Sequence, residues 1–218
     1  MKNSTRRESG RSPSPGQPDI EPCAEIHFYR ANEKPYGAFS NLFRSPITLE
    51  GCIFPTAEHA YQAGKARKKA VREWILSAPT PALVAMSGHG LYSWDVVPTW
   101  AQIKFERMRK VLRAKFTQHQ DLQALLLSTG DARLVEVGRV NNNVNRTWGE
   151  VNGKGKNMLG VLLMELRAEL RKNVSSKDRK LKPKTVTSLR ESEETLRIPV
   201  RLNRKTNGPP NDFHAIRR

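Results

Sequence analysis

The chain has 218 residues and a formal net charge of +17. This length accommodates one domain of ordinary size with terminal tails, and no apolar run approaches the roughly 18–20 residues that a membrane helix needs. Residues 171–218 contain fourteen basic and five acidic residues, so about half of the excess positive charge lies there. We therefore do not expect the domain itself to be chiefly a nucleic-acid surface, although its moderate positive charge suits a phosphate-bearing ligand.

The two cysteines, Cys23 and Cys52, provide neither a disulfide framework nor the spacing of a metal site. Two isolated thiols are typical of a reducing compartment, and the N-terminal segment lacks the apolar core of a secretory signal. We expect a cytoplasmic protein without a membrane partner, and leave association with the nucleus or nucleoid open. No metal or other cofactor is expected, because no cluster of ligands argues for one.

The first half of the chain predicts short strands and one long helix. Residues 1–23 are rich in Ser, Pro, Gly and charged residues, a composition typical of disorder. The elements predicted after this segment are a strand at 26–29, a loop at 32–41, a hairpin of 47–49 with 52–54, and a helix from Thr56 to about Leu76.

The second half predicts mainly helices. The predicted elements are a short helix at 81–86, a loop at 87–98, helices at 99–116 and 121–127, a strand at 134–137, a polar loop at 138–157 and a last helix at 158–170. Beyond Arg171 the composition changes to Lys, Arg, Ser and Pro, which predicts a mostly disordered basic tail over 172–218. The fold expected for 24–171 is a single, mostly helical α+β domain with a small number of short strands.

Three polar side chains, Glu58, Gln62 and Lys65, are spaced four and three residues apart in the predicted helix. On one helix they share a face, where an acid, an amide and an amine beside Tyr61 would line a small polar pocket. The alternative is an ordinary solvated face, on which Glu58 complements the helix dipole and Lys65 points into water.

Two further groups have the chemistry of a binding site. The loop 152–157 combines two glycines and two lysines with the start of a helix, which favours an anion such as phosphate. It lacks the spacing of a Walker A loop, and an ordinary flexible loop is the alternative. The aromatic residues predicted in loops would either stack on a planar base or pack over the core; they are Tyr36, Phe39, Trp94 and Trp148.

Seven short segments occur in an order that identifies a family. They are Phe28-Tyr29-Arg30, Tyr36–Asn41, Phe54–His59, Gln62–Lys65, Lys115-Phe116, Trp148-Gly149 and Gly155–Gly160. Together they resemble the NADAR superfamily over roughly 26–171. The resemblance implies an N-glycosidase that cuts the bond between ribose C1 and an exocyclic amine of a base. Its substrate would be a ribosylaminopyrimidine phosphate of the riboflavin pathway or ADP-ribosylated guanine in nucleic acid.

The resemblance also implies the residues of the site. Glu58 and Lys65 are the expected catalytic residues. The expected substrate-binding residues are Arg30, Phe39, Asn41, Tyr61, Gln62, Trp148, Gly149, Gly153, Lys154, Gly155 and Asn157. The expected partner is a phosphorylated ribosyl or ADP-ribosyl substrate, and the basic tail is expected to serve only as an electrostatic tether for nucleic acid.

Two mechanisms and one non-enzymatic role stay open at this point. In the first mechanism a neutral Lys65 attacks the ring-opened imine of the glycosylamine while Glu58 moves protons. The cationic neighbours at 67–69 are expected to favour the neutral form of Lys65. In the second, Glu58 activates water and Lys65 binds phosphate. The non-enzymatic role is an ADP-ribose or nucleotide-binding module, which would not need the Glu58 and Lys65 pair.

Overall fold

The computed structural model describes residues 24–181. Its elements are the strands β1 (Glu25–Phe28), β2 (Arg44–Leu49), β3 (Cys52–Thr56) and β4 (Arg133–Glu136) and the helices α1 (Ala57–Ala63), α2 (Lys69–Leu76), α3 (Pro81–His89), α4 (Trp100–Gln118), α5 (Gln120–Ser128), α6 (Asn143–Trp148) and α7 (Met158–Leu181). The prediction of a mostly helical α+β domain with few short strands is confirmed. Among these residues no helix is both long and apolar enough to cross a bilayer.

The strands form two separate pairs. β1 and β4 are parallel, with Glu25 opposite Arg133 and Phe28 opposite Glu136. β2 and β3 form the predicted antiparallel hairpin. Its turn residues Glu50 and Gly51 both have positive φ angles, 53° and 75°, as the tightest hairpin turns require. The hairpin leads directly into α1.

Helix α1 lies at the centre of the fold, and all seven of its residues are buried. The apolar faces of α4 and α7 pack around it in one continuous core, with Leu112 and Leu159 almost completely inaccessible. Polar groups in such a position need internal partners. Thr56 supplies one by accepting a hydrogen bond from the backbone N–H of His59 and so capping the helix.

The prediction of one helix from Thr56 to Leu76 is wrong, because α1 ends at Ala63. Arg107 of α4 donates two hydrogen bonds to the carbonyl of Ala60, with N–O distances of 2.8 and 3.2 Å. Its Nε lies only 2.5 Å from where a side chain on Gly64 would begin. Beyond Gly64 the backbone turns away and pairs Ala66 with Val96. Tertiary contacts therefore stop a helix that the local sequence favours.

Two other boundaries differ from the predictions. The loop predicted at 138–157 contains α6, whose first turn is capped by the Asn142 side chain accepting from the N–H of Asn145 at 2.8 Å. Helix α7 continues to Leu181, beyond its predicted end at 170. The disorder predicted for 1–23, and for the tail from 182 onward, lies outside the described residues.

Lys115 of α4 is a fully buried cation that holds the segment before the hairpin. Its Nζ donates to the carbonyls of Ala38 and Ser40 at 2.5 and 2.9 Å, and burial lowers its pKa to about 7. The next residue along, Asn41, accepts a hydrogen bond at its carbonyl from the N–H of Glu58 at 3.0 Å. Lys115 thus fixes the chain that lies against the start of α1.

We predict that Lys115→Met lowers the free energy of unfolding by about 1–3 kcal/mol, because two buried carbonyls lose their donor. Lys110→Met is the control, since Lys110 is exposed on the same helix and should change stability by less than about 0.5 kcal/mol. Chemical denaturation measures both. Equal stability of the two variants would contradict the structural role of Lys115.

Candidate active site

A cavity of about 210 Å³, which we call the first chamber, lies between α1 and the carboxyl end of the β1–β4 pair. Its walls include Asn41, Glu58, Tyr61, Gln62, Glu136, Trp148 and Gly149. Side chains from four separate parts of the chain therefore meet at one place.

A larger cavity of about 490 Å³, the second chamber, adjoins the first. The side chains of Tyr61, Gln62 and Trp148 line both chambers, whereas Lys65 and Lys104 line only the second. A ligand that lies along these shared residues would occupy both chambers at once.

Glu58 and Gln62 share one face of α1, as their spacing predicts. The Gln62 Nε2 donates to the Glu58 Oε1 at 2.7 Å. Burial raises the pKa of Glu58, while the hydrogen bond from Gln62 and the positive charge of Lys65 act in the opposite direction. A buried carboxyl with a raised pKa is suited to holding and donating a proton.

Lys65 lies in the turn after α1 and not on the helix itself. Its Nζ donates to the carbonyl of Gly88, and burial lowers its pKa against the opposing charge of Glu58. The cationic neighbours are engaged elsewhere, because Lys68 pairs with Asp95 at 3.2 Å and Lys69 with Glu73. Desolvation, and not the charge of these neighbours, therefore lowers the pKa of Lys65.

Gly88 allows α3 to approach this turn closely. A Cβ at this position would lie 2.0 Å from the Oε1 of Gln62, so any side chain would displace the amide that bonds Glu58. The same residue supplies the carbonyl that holds Lys65. One glycine thus positions both ends of the Glu58, Gln62 and Lys65 set.

Aromatic rings form the wall that the two chambers share. Tyr61 and Trp148 meet edge to face with ring centroids 5.4 Å apart, and Trp100 packs on Tyr61 at 5.0 Å. Phe105 also contacts Trp148, with ring centroids 5.4 Å apart. These contacts hold Trp148 in one orientation, and a half-buried ring so placed is suited to stacking on a planar base.

Two amide oxygens of the site have no hydrogen-bond partner among residues 24–181. They are the Asn41 Oδ1 and the Gln62 Oε1, and both atoms are buried. The Asn41 Nδ2 is directed at the Met108 sulfur at 3.5 Å. Because buried polar atoms are normally paired, the Asn41 oxygen at the wall of the first chamber lacks the donor that such an atom requires.

Glu136 is a second acid in the first chamber, and the sequence analysis missed it. It ends β4, where its backbone N–H donates to the Asn157 Oδ1 at 3.1 Å. Burial and the charge of Glu58 raise the pKa of Glu136 to about 7. The sequence does show an acid directly after the apolar pair Leu134-Val135, which could have indicated Glu136. Only the parallel pairing of β4 with β1, however, directs Glu136 toward Glu58.

A family model described as the NADAR domain matches residues 27–171. The chain belongs to the NADAR family. It is 44% identical over 146 residues to the N-glycosidase YbiA of Shigella boydii, covering 66% of this chain and 88% of that protein. It is 34% identical over 149 residues to a riboflavin biosynthesis protein of Vibrio vulnificus, covering 68% of this chain and 39% of that protein.

A solved structure is also similar to this NADAR chain. The NMR structure of the Escherichia coli protein YbiA matches it with a TM-score of 0.61 and 41% identity, over 70% of this chain and 88% of that one. The resemblance stated from seven short segments of the sequence is confirmed by these comparisons.

Some residues expected in the site of this NADAR domain lie elsewhere. Arg30 is exposed and lines neither chamber. Phe39 is completely buried in the core, where it packs on Phe116. Asn157 does not line the chambers; its Nδ2 donates to the Leu134 carbonyl at 2.7 Å, so it holds β4 and orients Glu136.

The loop that was expected to bind phosphate also lies outside both chambers. Gly153, Lys154 and Gly155 are exposed. The backbone N–H of Lys154 donates to the Val151 carbonyl, and that of Lys156 to the Arg146 carbonyl. The Lys154 amide closes a tight turn and the Lys156 amide pairs with α6, so neither is free to bind an anion.

We predict that Glu136→Gln stabilises the protein at about pH 8 by about 1–2 kcal/mol. The pKa of this carboxyl rises from 4.5 to about 7 on folding, so the folded state keeps a proton that the unfolded chain releases. Wild-type stability is therefore lost as the pH rises between these values. The glutamine variant does not titrate, and its advantage should vanish near pH 4.5.

Denaturant unfolding at both pH values measures this difference. Glu106→Gln is the control, because Glu106 is an exposed acid on α4 that pairs with Arg109. An advantage of the Glu136 variant that is equal at both pH values would contradict the assignment.

Proposed function

We propose that this protein, an N-glycosidase of the NADAR family, cleaves the bond between ribose C1 and an exocyclic amine of a base. The observation that carries the proposal is the placement of a buried acid and a partly buried amine, Glu58 and Lys65, around two joined chambers. A module that only binds nucleotides has no need of a carboxyl with a raised pKa beside an amine with a lowered one.

The chemistry follows from the nature of a glycosylamine. Its sugar ring opens when the ring oxygen takes a proton, which leaves an imine between C1 and the base nitrogen. The neutral Lys65 Nζ then adds to C1, and the base amine leaves with a proton from Glu58. Water adds to the resulting lysine imine, and the sugar is released as an aldehyde while Lys65 returns to the free amine.

Two features favour this route over direct attack by water. Burial lowers the pKa of Lys65, which increases the fraction of the nucleophilic neutral amine. Burial also raises the pKa of Glu58, which suits a carboxyl that donates a proton to a leaving amine. Direct attack needs instead an ionised Glu58 that activates water.

The substrate we propose is a ribosylaminopyrimidine phosphate. The riboflavin biosynthesis name of the Vibrio relative supports it. ADP-ribosylated guanine contains the same linkage, and the 490 Å³ of the second chamber give room for its larger sugar diphosphate. Incubation of the full chain with each compound, followed by mass spectrometry of the products, tests the proposal. Absence of base release from both would overturn it.

We predict that Lys65→Ala abolishes turnover and that borohydride traps a sugar adduct on Lys65 in the wild type, because only an imine is reduced to a stable secondary amine. Lys65→Arg should be equally inactive, since guanidinium stays charged and is not a nucleophile. Lys68→Ala is the control, because Lys68 is an exposed neighbour paired with Asp95. Peptide mass mapping locates the adduct. An active Lys65→Arg variant without a trapped adduct would replace this route with direct attack by water.

We predict that Glu58→Gln slows turnover by roughly 10²–10⁴-fold, the usual cost of removing a general acid or base. The fold should persist, because an amide oxygen still accepts from the Gln62 Nε2 at the position that Glu58 occupies. Steady-state kinetics and thermal unfolding measure the two effects, with Glu106→Gln as the exposed-acid control. Full activity of the Glu58 variant would remove α1 from the mechanism.

A further inference from the structure

The two chambers differ in the ionisable side chains that line them. Glu58 and Glu136 line the first chamber, and no lysine or arginine does so. Lys65 and Lys104 line the second chamber, and no aspartate or glutamate does so. A ligand that occupies both therefore meets carboxyl groups at one end and amino groups at the other.

Lys104 differs from the arginines that follow it on α4. Arg107, Arg109 and Arg113 each form an ion pair with a glutamate. Among residues 24–181 no carboxylate is recorded as a partner of Lys104, whose Nζ lies 4.9 Å from the ring centroid of Phe105. Lys104 therefore lines the second chamber as a lysine that no carboxylate of the described residues neutralises.

The start of α4 adds to the positive potential of this chamber. Trp100 and Ala101, in the first turn of this 19-residue helix, line the wall. The N-cap residue Thr99 makes no side-chain capping bond to the helix. The positive end of a helix dipole beside a lysine favours an anion over a neutral group.

We propose that the second chamber binds the phosphate of the ribosyl substrate, with Lys104 as its main cationic ligand. This proposal rests on the proposed function and orients the substrate within it. The base lies in the first chamber near the Asn41 oxygen and Trp148, and C1 lies at the shared wall within reach of Glu58 and Lys65. The 5′-phosphate points toward Lys104 and the start of α4.

The test is binding of ribose 5-phosphate and of ribose to the full chain, measured by calorimetry without any turnover. Lys104→Gln should weaken ribose 5-phosphate binding by about tenfold or more, as expected for one charged hydrogen bond. It should leave ribose binding unchanged. Lys110→Gln is the matched control, since it removes the same charge from an exposed position of the same helix.

Lys154→Gln tests the competing location in the loop after β4. A loss of phosphate-dependent binding in that variant, with none in Lys104→Gln, would overturn the proposal. Wild-type protein that binds ribose 5-phosphate no better than ribose would overturn it as well. A protein that binds the phosphate through Lys104 but releases no base would instead refute only the proposed reaction.

Discussion

The contact on which the site depends is that of the Arg107 guanidinium with the last turn of α1. It occupies the Ala60 carbonyl and the space beside Gly64, so the helix ends there. Lys65 consequently leaves the helical path, and its amine donates to Gly88. An interhelical contact thus creates the geometry of the acid and the amine.

Desolvation then determines what these groups do. Burial favours the neutral forms of Glu58, Glu136 and Lys65. The neutral forms of Glu58 and Lys65 are the ones that the proposed route needs. The attraction between Glu58 and Lys65 opposes this shift without removing it. The fold therefore carries a cost in stability at the site, which is typical of catalytic centres. Replacing one of the acids by its amide should recover part of this cost.

The separation of the two acids from the two lysines gives the site a direction. A glycosylamine phosphate has N–H donors at its base and an anion at its other end, and the chambers match this order. The reacting carbon between these ends falls at the wall shared by Tyr61 and Trp148. Binding energy from the remote phosphate would then hold C1 between Glu58 and Lys65, which is how enzymes use non-reacting parts of a substrate.

The sequence by itself determined the fold class, the family and the Glu58–Gln62 pair, because these depend on local periodicity and short ordered segments. The helix cap at Thr56 and the hairpin turn at Glu50-Gly51 also follow from the local sequence. Only the tertiary structure decided where α1 ends, because that depends on an arginine 47 residues away from its acceptor. It also decided that Glu136 joins the site and that the loop at 153–155 does not. Both outcomes depend on which backbone groups pair across the fold, and a linear pattern contains no record of that pairing.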